Sequence, residues 1–382
     1  MNKPRLTALV ALLQLAALLT LSSPASAAER WTEQQAHEWY NRQPWLVGAN
    51  YIPANAINQL EMWQADTFDA ATIDKELGWA QSIGMNTMRV YLHNLLWEQD
   101  AKGFKQRIDA FLAIAARHNI KPIFVLFDSC WDPEPKLGPQ RPPIPGVHNP
   151  GWVQAPGRAR LEDASGYPKL REYVQGVVGA FAKDPRILAW DVWNEPDNDG
   201  GGNYKKHVDK QKYVEMLLGQ VFDWARSQQP TQPLTSGVWH HDDWSSLDKL
   251  NPIEKIQITQ SDVISFHDYS WPETFERRVK QLQAYGRPLL CTEYMARGNG
   301  STFDNSLPLG KRYNVAMVNW GLVDGKTQTR MPWDSWKKPY TLEEPTIWFH
   351  DVFRADGTPY RAAETELIKR LTSSPREAAG TR

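Results

Sequence analysis

Four times in this chain a helical period of apolar residues runs through a short turn into a β-branched run. "DAATIDKELGWAQSIGMNTMRVYL" has Asp69 placed as an N-cap, then Ile73, Leu77, Ala80 and Ile83 on one helical face. Gly84 interrupts before a strand expected over Thr87 to Leu92. "RIDAFLAIAARHNIKPIFVLF" repeats the pattern with Phe111, Leu112 and Ala115 before a strand at Ile123 to Phe127, as do "REYVQGVVGAFAKDPRILAWDVW" and "YVEMLLGQVFDWARSQQPTQPLTSGVW". Further strands are expected at "WLVGANYI", "DVISFH", "PLLCTE" and "VAMVNWG". Uninterrupted apolar strands imply a sheet covered on both faces, hence a parallel one. About eight strands, most followed by a helix, point to a single (β/α)₈ barrel of the α/β class rather than an open sheet. "TEQQAHEWYNRQPW" reads as an extra helix plugging the bottom of that barrel, "AAETELIKRL" as the last outer helix, and "TSSPREAAGTR" as a tail.

Composition narrows the partners. Net charge is −1 over 382 residues, so there is no basic excess for nucleic acid. Lys3 and Arg5 precede an apolar stretch from Leu6 to Leu21, and Ala25-Ser26-Ala27 offers a small-residue cleavage site. This is the pattern of a secretory signal peptide over residues 1–27, too short and wrongly flanked for a membrane anchor. The expectation is therefore a catalytic domain over 28–382, secreted or periplasmic, without a membrane partner. The pattern leaves the oligomeric state open. Cys130 and Cys291 both fall beside expected strand ends and read as two partly buried free thiols rather than a disulfide.

Eighteen tryptophans are several times the usual share. Part of that number belongs to a large core; the remainder suits a cleft whose rings stack on sugar faces. Trp131, Trp239, Trp152, Trp63, Trp244 and Trp271 are the candidate platforms, with about half expected to be packing. One connection, Asp128 to about Lys169, is far longer than a turn and holds eight prolines up to Pro156. Those prolines stiffen it, and it follows a strand, so it is expected to wall off one end of a cleft on the active face.

In such a barrel the chemistry collects where strands end. "ILAWDVWNEPDNDG" carries an apolar strand straight into Asn194 and Glu195, and "PLLCTE" ends on Glu293. Arg89 lies inside the second strand, His267 and Tyr269 follow the sixth, and Trp320 follows the eighth. Two carboxyl groups facing one another across the barrel mouth are what glycosidic bond hydrolysis requires: a proton donor, and a base or nucleophile opposite. Glu195 is placed as the acid, its pKa raised by burial beside Trp193 and by the second carboxylate. Glu293 is placed as the nucleophile, held ionised by Arg89 and Tyr269. Asn194 is placed on the hydroxyl beside the reacting carbon, and Trp320 under the sugar as a floor. A gap of about 5–5.5 Å between the carboxyl groups is expected for double displacement. Asp197 and Asp199 read as loop solvation.

"WNEP", "LLCTEY", an Arg in the second strand and "HDY" after the sixth together resemble the clan A retaining glycoside hydrolases, and within them family 5, the cellulase and mannanase family. The resemblance covers nearly the whole chain after the signal pattern. It implies acid/base catalysis by Glu195, nucleophilic attack by Glu293, and supporting roles for Arg89, Asn194, His267, Tyr269 and Trp320. It implies a β-linked carbohydrate substrate and no cofactor. One position departs: the third strand of family 5 usually ends in His, whereas "VLFDSC" stands here. Either Asp128 does a related job, or the chain belongs to a divergent branch.

"HHDD", residues 240–243, has metal-ligating residue types after the fifth strand. Adjacent residues rarely share one ion, so His240 is read as part of a polar subsite, and no metal is expected. Two competing classes are weighed against the glycosidase: an inactive sugar-binding barrel, which predicts loss of a catalytic Glu, and a metal-dependent barrel hydrolase, which needs a ligand set not seen here. The walled loop slightly favours exo-action or short oligosaccharides; sugar configuration is open.

Overall fold

The computed structural model describes residues 29–374, so the expected signal peptide lies outside the described residues. Eight parallel strands form one sheet: β1 Val47–Asn50, β2 Thr87–Tyr91, β3 Lys121–Val125, β4 Ala189–Asp191, β5 Leu234–Thr235, β6 Ile264–His267, β7 Leu289–Glu293 and β8 Ala316–Asn319. Their order is β5-β4-β3-β2-β1-β8-β7-β6. A parallel bridge between Val238 and Phe266 brings the two ends together, with Val238 N donating to Ser265 O at 3.2 Å and His267 N to Val238 O at 3.0 Å. The expected (β/α)₈ barrel is the one observed. Gly48 is a packing requirement: a Cβ there would fall 1.8 Å from the Thr87 carbonyl oxygen of β2.

The helix Ala70–Ser82 starts where expected, with the Asp69 carboxylate accepting from Ala71 N and Thr72 N. This satisfies amide groups that the helix itself leaves open. Ile73, Leu77, Ala80 and Ile83 are all buried, as are Phe111, Leu112 and Ala115 of the next helix. The N-terminal helix, Glu33–Asn41, opens on a reciprocal capping box between Thr32 and Gln35. Its Ala36, Trp39 and Tyr40 pack with Leu188, Ala189, Val263, Leu290 and Ala316, which stand at or just before strand starts. The helix therefore closes the amino-terminal end of the barrel, and chemistry is left to the carboxyl end. The last helix, Ala362–Ser373, matches the expected outer one.

One difference from the sequence reading has a local cause. β3 ends at Val125 rather than Phe127, because the chain turns irregular where Asp128 pairs antiparallel with Ala155 of the long loop and parallel with Asn194. The β3–β4 hydrogen bonding nevertheless continues through Leu126 N to Asp191 O and Asn194 N to Phe127 O, both 2.8 Å. Of the six candidate tryptophans, about half were expected to be packing. Trp63 and Trp244 are fully buried core residues. Trp63 is ringed by Phe68, Phe104, Phe111 and Phe124 at centroid distances of 5.5 to 6.5 Å. Trp271 is exposed and lies outside the cleft. Neither Trp63 nor Trp244 is a platform.

Trp63→Ala is expected to lower the unfolding free energy by about 3–5 kcal/mol through loss of burial and creation of a cavity. Trp271→Ala is expected to change it by less than about 0.5 kcal/mol. Chemical denaturation of the two variants checks both values.

Candidate active site

Strand ends deliver the site. Arg89 rises from β2 inside the barrel with no solvent exposure. Its Nε and Nη2 donate to Asp191 Oδ2 of β4 at 3.0 and 2.8 Å. Nη2 also reaches Asn194 Oδ1 at 2.7 Å, and Nη1 reaches Glu293 Oε1 at 2.9 Å and Asn50 Oδ1 at 3.0 Å. Tyr91, two residues on in β2, accepts from Nη1 and lies 3.1 Å from Glu293 Oε1. Burial disfavours the guanidinium charge, yet Tyr91, Asp191 and Glu293 around it outweigh that cost and raise its pKa.

Glu293 receives a second donor, Tyr269 Oη, on Oε2 at 2.8 Å. Glu195 sits opposite with a left-handed φ of 42°, which turns the chain off β4 and aims its carboxyl into the mouth. Asn198 Nδ2 donates to Glu195 Oε2 at 2.7 Å, and its amide orientation is fixed because Gly200 N donates to Asn198 Oδ1 at 2.9 Å. The Cys130 thiol meets the same oxygen at 3.2 Å. His267 Nδ1 lies 2.8 Å from Glu195 Oε1 and 3.5 Å from Glu293 Oε2, between the two carboxyl groups. One oxygen of each carboxyl group and one nitrogen of His267 all fall within 4.8 Å of one another.

The electrostatics separate the two acids. Burial pushes both carboxyl groups up. For Glu195 the opposing groups nearest at hand are neutral, Asn198 and Cys130. For Glu293 they are the nearby His267, the Arg89 charge in direct contact and the Tyr269 hydroxyl, while the facing Glu195 charge pushes it further up. The sequence reading credited Trp193 with burying Glu195; instead Trp193 points into the core, donating to Ser129 Oγ at 2.9 Å. Burial also drives His267 down to about 4, so its imidazole is neutral near pH 7.

Asp128 is fully buried and does not contact the carboxyl pair; it holds residues that line the cleft. Its Oδ1 accepts from Asn194 Nδ2 at 2.9 Å, and its Oδ2 accepts from Trp152 Nε1 at 2.6 Å. Asn194 is thereby locked between Arg89 and Asp128. Asp197, read as loop solvation, is buried and accepts from Trp239 Nε1 at 2.5 Å, fixing that ring at the cleft. Asp199 is exposed and pairs with Lys206, as a solvating residue would.

The cleft holds about 490 Å³ and is lined by Trp131, Trp152, Trp239, Trp320 and Trp333 around Glu195, His267, Tyr269 and Glu293. Cys130 lines it too; both cysteines are free and buried. His240 is not among the residues lining it: the ring packs on Trp239 at 4.7 Å and is exposed, near enough to Glu195 for its charge to act there. Nor do the "HHDD" residues converge. His241 meets Glu254, Asp242 meets Arg278, and Asp243 meets Lys249. Successive side chains on a loop diverge, so these four residues form no single cluster.

Asn50, Tyr91, Asp191, Asn198 and Trp333 complete the site but escaped notice in the sequence. Only Tyr91 carried a signal: it sits at i+2 from Arg89, on the same face of the strand. The long loop after β3 does wall the cleft, through Cys130, Trp131, His148, Asn149 and Trp152. A second wall, the long stretch between β8 and the last helix, went unread. Its Trp336 stacks on Trp131 at 5.6 Å. Gly202, φ 57°, lies under Trp336 where a Cβ would approach to 2.6 Å.

A model of Glycosyl hydrolase family 10 matches residues 146–251. No curated protein matches the sequence. Among solved structures, GH5_18 from Streptomyces cattleya, crystallised with Manβ1-4GlcNAc, superposes with TM-score 0.58 at 14% identity, over 87% of this chain and 82% of that one. The endo-β-1,4-mannanase from Thermotoga petrophila gives 0.54 at 14%, over 90% and 79%. The exo-β-1,4-mannosidase Op5Man5 from Opitutaceae bacterium strain TAV5 gives 0.56 at 18%, over 86% of this chain and 59% of that longer one. These likenesses establish the (β/α)₈ fold; the structural neighbours include family 5 glycoside hydrolases, while the local sequence match is to family 10.

Asp128→Ala would strip the acceptor from both Asn194 and Trp152, leaving two buried donors unmet. A loss of about 2–4 kcal/mol in unfolding free energy is expected, against less than about 0.5 kcal/mol for Asp199→Ala. Urea titration of both variants makes the comparison.

Proposed function

We propose that this chain is a secreted or periplasmic retaining β-glycosidase that cleaves β-linked oligo- or polysaccharides with Glu195 as acid/base and Glu293 as nucleophile. The observation that carries this reading is the facing carboxyl pair, oxygens within 4.8 Å, with one buried arginine bonded to one member only. That separation suits direct attack on the sugar and leaves no room for a water between carboxyl groups, as inversion requires at about 6.5–9.5 Å.

In the first step Glu293 attacks the anomeric carbon as the glycosidic bond breaks, and Glu195 gives its proton to the leaving oxygen. Arg89 and Tyr269 hold Glu293 as the carboxylate and orient it. In the second step Glu195, now ionised, takes a proton from water, which attacks the anomeric carbon and releases Glu293. Asn194, locked by Arg89 and Asp128, presents its amide toward the hydroxyl beside the reacting carbon. Trp320 offers an apolar face to the ring. The mannanase and mannosidase neighbours support β-mannosides as the first substrates to try. The N-terminal pattern of residues 1–27 supports export.

The trio Glu195, His267 and Glu293 has metal-ligating donor types. Arg89 already supplies a cation to Glu293 Oε1 at 2.9 Å, so the site is built around a guanidinium. Activity indifferent to a chelator is therefore expected.

On aryl β-glycosides with mannose, glucose or xylose, Glu293→Gln is expected to lose at least 10⁴-fold in kcat, with the product anomer of the wild type retained by NMR. Inversion would exclude the mechanism. Glu195→Ala is expected to recover turnover with azide on a good leaving group, yielding the β-glycosyl azide.

The pH dependence has a definite sign. Glu195 must be protonated and its pKa is raised, so kcat/KM falls as pH rises through that value; Glu293 must be ionised, which sets the acid limb. With a good leaving group, Glu195→Ala is expected to lose the alkaline limb and keep the acid one. A profile unchanged by the substitution would reassign the acid.

A further inference from the structure

Asn149 sits in the long loop after β3 and carries the one carboxamide in the cleft lining for which both polar atoms are buried and unpartnered among the described residues. The residue has no solvent exposure. A buried amide left without hydrogen bonds is desolvated without compensation. Its backbone adds to the cost: φ is 46°, a left-handed conformation, in a residue that Pro150 follows. The chain holds it there through Asn149 N, which donates to Thr327 O of the opposite wall at 2.9 Å. Of the non-glycine residues with positive φ, Trp131, Asn149 and Glu195 all line this cleft. Such conformations persist where the surroundings enforce them, and they gather at functional sites.

The position of the amide says what it meets. Asn149 lies at the seam between the cleft and an adjoining cavity of about 20 Å³, and Trp152 and Trp320 line both spaces with it. Asn50 and Tyr91, which contact Arg89, line the smaller space. A gap that small admits a hydroxyl or one water, not a further sugar ring. A carboxamide offers one acceptor and two donors, the complement of a hydroxyl or a vicinal diol.

We propose that Asn149 is a specificity-determining residue: its carboxamide binds one or two ring hydroxyls of a sugar seated in the cleft against the Trp152–Trp320 wall, where the two rings meet edge to face at 6.0 Å. This rests on the β-glycosidase reading and names the part of the substrate that the loop after β3 recognises. Hydroxyls that meet it pair an amide otherwise unmet, so a sugar lacking them is rejected by the site rather than merely bound less well.

The test uses the full chain with Asn149→Gly, since glycine tolerates the left-handed backbone, and with Asn149→Asp, which keeps the acceptor and removes the donors. On the best aryl β-glycoside, Asn149→Gly is expected to lose about 10- to 100-fold in kcat/KM, the worth of one or two hydrogen bonds. Its melting temperature is expected to stay within about 3 °C of wild type. On monodeoxy analogues of that glycoside, the gap between wild type and Asn149→Gly is expected to close for the analogue missing the bound hydroxyl. Asn149→Asp is expected to fall between the two. An unchanged kcat/KM, or a loss equal on every deoxy analogue, overturns the proposal and leaves Asn149 a structural or hydrating residue. If the wild type hydrolyses no member of the panel, the glycosidase reading fails. Calorimetric titration with β-1,4-mannobiose then judges Asn149 alone: at least tenfold weaker binding to Asn149→Gly supports it, and equal or no binding to both proteins overturns it.

Discussion

A single guanidinium organises the mouth of this barrel. Arg89 is placed by β2 where solvent does not reach, and a buried cation is tolerated only when its charge and its five donors are met. Asp191 of β4, Glu293 of β7, Asn194 after β4, and Asn50 and Tyr91 of β1 and β2 meet them. The same contacts fix where each of those groups points. Compensation of a buried charge and orientation of a reactive carboxyl are thus one requirement, met by residues from four strands. The pair of acids becomes asymmetric for the same reason: one touches the cation and the other touches neutral donors.

Around that centre, support is passed outward in steps. Asp128 clamps Asn194 and Trp152; Asp197 clamps Trp239; Asn198 and Cys130 bracket one oxygen of Glu195. Asn198 in turn is held by Gly200 N. Each of these side chains has a rotamer decided by a partner behind it, the arrangement that gives a site its geometry before ligand arrives.

Much of this was legible in the sequence, for physical reasons that differ by residue. The barrel was readable because its period is local: apolar spacing in helices, continuous β-branched runs in strands. Glu195, Glu293, Arg89 and His267 were readable because strand ends converge in a closed parallel sheet wherever the loops go. That about half of the candidate tryptophans pack was foreseen, but not that Trp63 and Trp244 are among them, because composition counts rings without saying which face they occupy. His240 was misplaced because it follows Trp239 directly, and neighbours in a loop need not share a direction. Asp197 looked like solvation but is buried by a ring forty-two residues away. Asn149, Trp333 and Trp336 lie in irregular chain with no period, where position depends on contacts between loops distant in sequence.

Those inter-loop contacts are largely backbone and hydroxyl hydrogen bonds: Asn149 N to Thr327 O, Tyr340 N to Gly146 O, and His148 N to Ser335 Oγ. Neither long segment is therefore an independent insertion. A transplant of one into another barrel would arrive without the scaffold that shapes it, and a change of length in one strains its counterpart. The two form a heritable unit, so diversification of substrate preference on this scaffold calls for matched exchange of both.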